Sequence, residues 1–145
     1  MTSSGSGRPS QVNLRRAVSA VYYALFHCLA RNCADTLVGG YGADRSKPAW
    51  RQVYRSLEHG FAKNACSDKQ ILNKFPQKIQ NFAITFVTMQ DKRHSADYDP
   101  AAPTFLKSDV VQDIETADRA LADFRSVQIK DRRAFAAHVL LRKRS

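Results

Sequence analysis

Between Ser10 and Cys33, apolar residues recur at steps of four and three, and no stretch of the chain shows the every-second-residue alternation of a strand. Leu14, Val18, Val21, Leu25 and Cys28 form one row; Tyr22, Phe26, Leu29 and Cys33 form a second beside it. A period near 3.6 puts each row on one face of a helix. Two adjacent rows make a stripe wide enough to pack on two neighbours. This predicts a long first helix, with Ser10 as its N-cap and its end near Cys33.

The same reasoning continues along the chain. Gly39-Gly40-Tyr41-Gly42 reads as a connecting loop, without the spacing of a phosphate loop. A second helix is expected from about Ser46 or Pro48, burying Trp50, Val53, Tyr54, Leu57 and Phe61, with Gly60 and the polar residues after it ending the segment. Residues 67–73 suit a short turn of helix. A third long helix should start near Pro76, bury Ile79, Phe82, Phe86 and Met89, and end by Tyr98, ahead of the rigid loop Pro100 to Pro103. Ser108 or Asp109 is the expected cap of a fourth, with a row of Val111, Ile114, Ala117, Leu121 and Phe124. A last helix over about 131–142 completes the expectation. The fold class is therefore all-α, a bundle of four long helices plus one short or C-terminal helix. Residues 1–10 are Ser/Gly-rich and are expected to be a disordered leader; residues 11–145 are expected to form one helical domain.

Two segments on these helices carry chemistry. In the first helix, Arg16, Tyr23, His27 and Arg31 share a face by spacing. In the third, Arg93 sits one step beyond the aromatic row, followed by His94, Asp97 and Tyr98. Arg93 and Asp97 are four apart, as are His94 and Tyr98, so each pair meets on the helix surface. Arg93 suits a phosphate, because its planar fork matches phosphate oxygens. His94 suits proton transfer, because an imidazole titrates near neutrality. Asp97 and Tyr98 would orient that pair, while Arg16, Tyr23 and His27 would line the opposite, substrate-binding wall. An Arg–Asp ion pair and an aromatic packing row are the plainer readings of the same residues.

The charge agrees with an anionic ligand. The formal net charge is +10. Such a field attracts nucleic acid, although a merely solvated cationic surface has the same composition. Other classes find little support. Glu58 and Glu115 are the only glutamates, too few for a di-iron carboxylate bundle. Cys28, Cys33 and Cys66 show no zinc or disulfide spacing, which fits free thiols in a reducing cytoplasm. No apolar run is long enough to span a membrane, and no nucleophile elbow or glycine fingerprint occurs. No metal or cofactor is expected. A helix–turn–helix DNA binder would need shorter helices and a tight turn.

The segment Arg16-Ala17-Val18-Ser19-Ala20-Val21-Tyr22-Tyr23-Ala24-Leu25-Phe26-His27, together with Arg93-His94-Ser95-Ala96-Asp97-Tyr98, resembles small prokaryotic proteins of the HEPN family (higher eukaryotes and prokaryotes nucleotide-binding). The resemblance spans about Gln11 to Phe124. It implies an up-and-down four- to five-helix bundle and a homodimer. It implies an RNA-binding protein, in many members a metal-independent endoribonuclease of a toxin–antitoxin or defence system, often paired with a nucleotidyltransferase-like antitoxin. The alternative it leaves is a non-catalytic module that binds a nucleotide or a protein partner. The family's catalytic motif places four to six residues between Arg and His; here His94 directly follows Arg93, and only Arg93, Asp97 and Tyr98 match the Arg-x-x-Ala-Asp-Tyr variant.

Overall fold

The computed structural model describes residues 10–101 and 104–143. The expected leader lies almost wholly outside the described residues, as does part of the loop expected at Pro100 to Pro103. The described chain is all-α, with seven helices and no strand among the described residues: α1 Gln11–Leu37, α2 Lys47–Ser56, α3 His59–Cys66, α4 Lys69–Leu72, α5 Gln77–Tyr98, α6 Lys107–Arg125 and α7 Ile129–Leu140. No described helix is long and apolar enough to cross a membrane.

Helix α1 is the axis of the bundle. It packs against α2, α5, α6 and α7, while α3 lies on α5 and α7, and α5 also lies on α6. Both rows read from the sequence point inward: Leu14, Val18, Tyr22, Leu25, Leu29 and Cys33 are buried. From α5, Ile79, Phe82, Phe86 and Met89 meet them, and α6 and α7 add Phe124 and Phe135. The ring centroids of Phe82 and Phe124 lie 4.5 Å apart, close enough for a favourable offset contact.

Ser10 caps α1 as expected, accepting from the Asn13 amide at 3.1 Å. The helix does not stop at Cys33. Nothing in Ala34-Asp35-Thr36-Leu37 breaks it, and it closes at Leu37, where the Val38 and Gly39 amides both donate to the Ala34 carbonyl. Gly39 has φ +149, a backbone that side chains rarely adopt.

The expected second helix is two helices. Leu57 and Glu58 are extended, with ψ 123 and 135, and they separate α2 from α3. Gly60 therefore lies inside α3 rather than after a helix. In an unbroken helix Leu57 and His59 would point about 200° apart. The two extended residues let Leu57 enter the core while His59 opens a new helix beside α1 and α5. Helix α2 buries no residue fully; Trp50, Val53 and Tyr54 are half-buried on the outside of α1.

Two further expectations are corrected. Helix α6 starts at Lys107 without a side-chain cap, so Ser108 and Asp109 sit inside its first turn. Its buried row is Val110, Ala117, Ala120 and Phe124, leaving Val111 and Ile114 at 42% and 38% exposure. Small alanines face the neighbouring helices and allow close approach, so the larger residues fall at the edge. Helix α7 is separate from α6, and Arg132 Nε donates to the Val127 carbonyl across the turn at 2.9 Å.

Candidate functional site: an arginine in an aromatic cage

Consecutive positions on a helix point about 100° apart, so the Tyr22-Tyr23 pair of α1 splits. Tyr22 is fully buried, and Tyr23 is 37% exposed at the edge. Between them and α5 lies Arg93, a charged member of the buried row of α5, with Ala96 buried beyond it, and only 8% exposed. Its guanidinium carbon is 5.0 Å from the Tyr22 ring centre, 5.5 Å from Tyr23 and 5.5 Å from Tyr98. A cation desolvated among three rings gains from each ring's negative face. Arg93 Nη1 donates to the Tyr98 hydroxyl at 3.2 Å and lies 3.8 Å from Asp97 Oδ2. Asp97 Oδ1 accepts from the Ser19 hydroxyl at 2.5 Å, which ties α5 to α1. Arg93 Nε is buried without a hydrogen-bond partner among the described residues.

His59 at the start of α3 completes the cluster. Its ring stacks on Phe26 with centroids 4.0 Å apart, and Nδ1 lies 2.6 Å from the Tyr22 hydroxyl. Burial holds the imidazole below its ordinary pKa, and the charge of Arg93 and then His27 add to the effect. Burial likewise pushes the Tyr22 phenol well above its usual value, outweighing Arg93, which pulls the other way. Tyr22 therefore stays protonated, and its hydroxyl shares a hydrogen bond with His59 Nδ1 whose direction depends on the imidazole tautomer. The result is a buried cation beside a neutral imidazole.

Away from the cage, His27 is exposed, and its Nδ1 lies 2.8 Å from the Tyr54 hydroxyl. Tyr54 stacks with Trp50 at 5.2 Å, and the Arg45 guanidinium lies over Trp50 at 4.9 Å. The cage is thus one end of a row of rings running Tyr23, His27, Tyr54, Trp50.

The structure brings Arg93, Asp97, Tyr98 and Tyr23 into this cluster and leaves His27 beside it, in the ring row. His94 is exposed and packs its ring on Tyr98 at 5.2 Å, on the outside of the cage. Arg16 is exposed and makes no hydrogen bond or ion pair among the described residues. Three participants went unread in the sequence. The spacing places Tyr22 only in a packing row, and nothing in the letters before His59 marks a new helix start there. Arg15 donates to the Ser95, Ala96 and Asp99 carbonyls at 3.4, 3.0 and 3.5 Å, satisfying the end of α5 and fixing Asp97 and Tyr98 against α1. Gln11 adds a two-way tie to the Phe105 backbone at 2.8 and 2.9 Å. Among the described residues, no three His, Cys, Asp or Glu side chains group as metal ligands would.

Comparison with family models, with curated proteins and with solved structures gave no match.

Proposed function

We propose that this chain is an HEPN-like RNA-binding protein whose Arg93 cage receives a phosphate of single-stranded RNA and supports metal-independent cleavage beside it. The observation that carries the reading is a buried guanidinium with an unpartnered Nε, held among three tyrosines next to a neutral histidine. Tyr98 is 63% exposed and covers the cage only through its ring and the 3.2 Å hydrogen bond. Displacing it opens Arg93 to a phosphate oxygen. The proton-transfer role expected of His94 passes to His59. Turned toward substrate, neutral His59 accepts the proton of the 2′-hydroxyl as that oxygen attacks the neighbouring phosphorus. The P–O5′ bond breaks and the departing 5′ oxygen takes a proton from water, leaving a cyclic phosphate on one fragment and a hydroxyl on the other. Arg93 balances the charge that builds on the phosphate oxygens.

The test is cleavage of a labelled single-stranded RNA in chelator-containing buffer. Wild-type protein should release cyclic-phosphate ends, and His59→Ala and Arg93→Ala should each slow the reaction by about a hundredfold or more. Equal cutting by both variants overturns the mechanism. RNA binding without cutting selects the non-catalytic module, which the 8% exposure of Arg93 favours. The same reading extends to assembly. We place a homodimer contact at the groove where Ile114 and Leu121 face Ala17, Ala20 and Ala24, and a nucleotidyltransferase-like antitoxin as the controlling partner. A monomer by light scattering at high concentration removes the dimer.

A further inference from the structure

A second basic site lies next to the cage, on the side of α1 that faces α6 and α7. A cavity of about 330 Å³ is lined by His27, Cys28, Arg31, Asn32, Arg125 and Arg132, with Asp35 at its edge. That volume is at the lower end for small-ligand pockets. Three arginines from three helices line the cavity beside Cys28: Arg31 from α1, Arg125 from α6 and Arg132 from α7. Arg132 is held in place, with Nε on the Val127 carbonyl and Nη1 3.3 Å from Asn32 Oδ1. Arg31 and Arg125 are exposed and have no carboxylate partner among the described residues. The one acid at the edge is already engaged: Asp35 Oδ1 accepts from Trp50 Nε1 at 2.9 Å and pairs with Arg45 at 3.3 Å. The cavity therefore carries uncompensated positive charge.

This cavity is joined to the cage. His27 lines it and also stands in the ring row that starts at Tyr23. Asp35 links it to Trp50 at the row's far end. Tyr23 and Arg31 are eight residues apart on α1, about 12 Å along the helix axis. Alternating ring faces and guanidiniums are what a single strand uses, bases on the rings and phosphates on the cations.

We infer that the Arg31–Arg125–Arg132 cavity holds a second phosphate of the same RNA strand, a few nucleotides from the one at Arg93, with His27 and Tyr54 stacking the bases between. This rests on the reading of the cage as an RNA site, so the test separates the two. The probe is a labelled single-stranded RNA followed by fluorescence anisotropy at several salt concentrations, with circular dichroism confirming each variant's fold. Arg31→Ala/Arg125→Ala should weaken binding roughly tenfold or more, since charge-assisted phosphate contacts are lost. The slope of log affinity against log salt should flatten by about 0.7 for the phosphate released. Arg31→Lys/Arg125→Lys should keep most of that slope. Arg119→Ala, which removes an exposed cation from another face of α6, should change neither. If the double alanine variant behaves like Arg119→Ala while Arg93→Ala weakens binding, the second site is refuted and the cage reading stands. If calorimetry with inorganic phosphate shows binding lost in the double variant while RNA affinity is intact, the cavity takes free phosphate and the proposal is refuted. If neither Arg93→Ala nor the double variant affects RNA, both readings fall.

Discussion

Arg93→Met separates a cation kept for stability from one kept for a ligand. Methionine retains an unbranched chain along the buried row and removes the charge. In the native cage the favourable side comprises three ring contacts at 5.0–5.5 Å, together about 3 kcal/mol. The hydrogen bond to Tyr98 contributes about 1 kcal/mol. The 3.8 Å pair with half-exposed Asp97 contributes about 0.5 kcal/mol. Against this stand several kcal/mol for desolvating a guanidinium at 8% exposure, and about 1–3 kcal/mol for the unpartnered Nε. The two sides nearly cancel. The partners left behind do not become buried orphans, because Asp97 and Tyr98 reach water and the Tyr22 hydroxyl is already bonded to His59. Urea unfolding of Arg93→Met, at fixed protein concentration, should therefore give a stability within about 1.5 kcal/mol of wild type, while its RNA affinity falls. A loss beyond about 3 kcal/mol with an unchanged m value would refute the reasoning and make Arg93 a structural cation.

Three further outcomes follow from the geometry. Because the folded pKa of His59 is lowered, the unfolded chain binds the extra proton first as pH falls; stability is therefore full above about 6.5 and declines from there down to the folded pKa, and His59→Gln should flatten that decline in urea titrations. Cys33 and Cys66, whose thiols burial pushes up to about 12, should resist a thiol reagent at pH 8 in the folded protein and react at once in urea; rapid reaction of all three cysteines without denaturant would contradict their burial. Gly39→Ala forces a side chain onto φ +149 with its Cβ 3.1 Å from Arg45 Cβ, and should cost about 1–3 kcal/mol by thermal or urea unfolding; an unchanged midpoint would show that the turn re-forms elsewhere.

The sequence made α1 and α5 legible because each carries large apolar residues at helical spacing over many turns. It also singled out Arg93, since a charge at the end of an aromatic row sits where the core should be. His59 was hidden because the break before it has no proline or glycine; Leu57 and Glu58 are extended for a tertiary reason, the burial of Leu57. On α6 the expected row holds at Ala117 and Phe124, while Val110 and Ala120 are buried in place of Val111 and Ile114 because small alanines pack against the neighbouring helices there. Arg15 and Arg16 are indistinguishable as letters. Only the end of α5, which brings the Ser95, Ala96 and Asp99 carbonyls within reach, makes one a tether and leaves the other in solvent.

The chain has a single tryptophan, and it stands where the ring row meets the basic cavity. Trp50 is half-buried, with a guanidinium over one side, a tyrosine stacked alongside and its indole nitrogen bound to the carboxylate at the cavity edge. Indole emission responds to each of these neighbours. The protein therefore carries its own optical reporter: an occupant that draws on Arg45 or Asp35, or slides a base against Tyr54, alters the intensity and colour of the one residue that dominates its ultraviolet fluorescence. Occupancy is readable on the unlabelled chain, with no dye and no substitution.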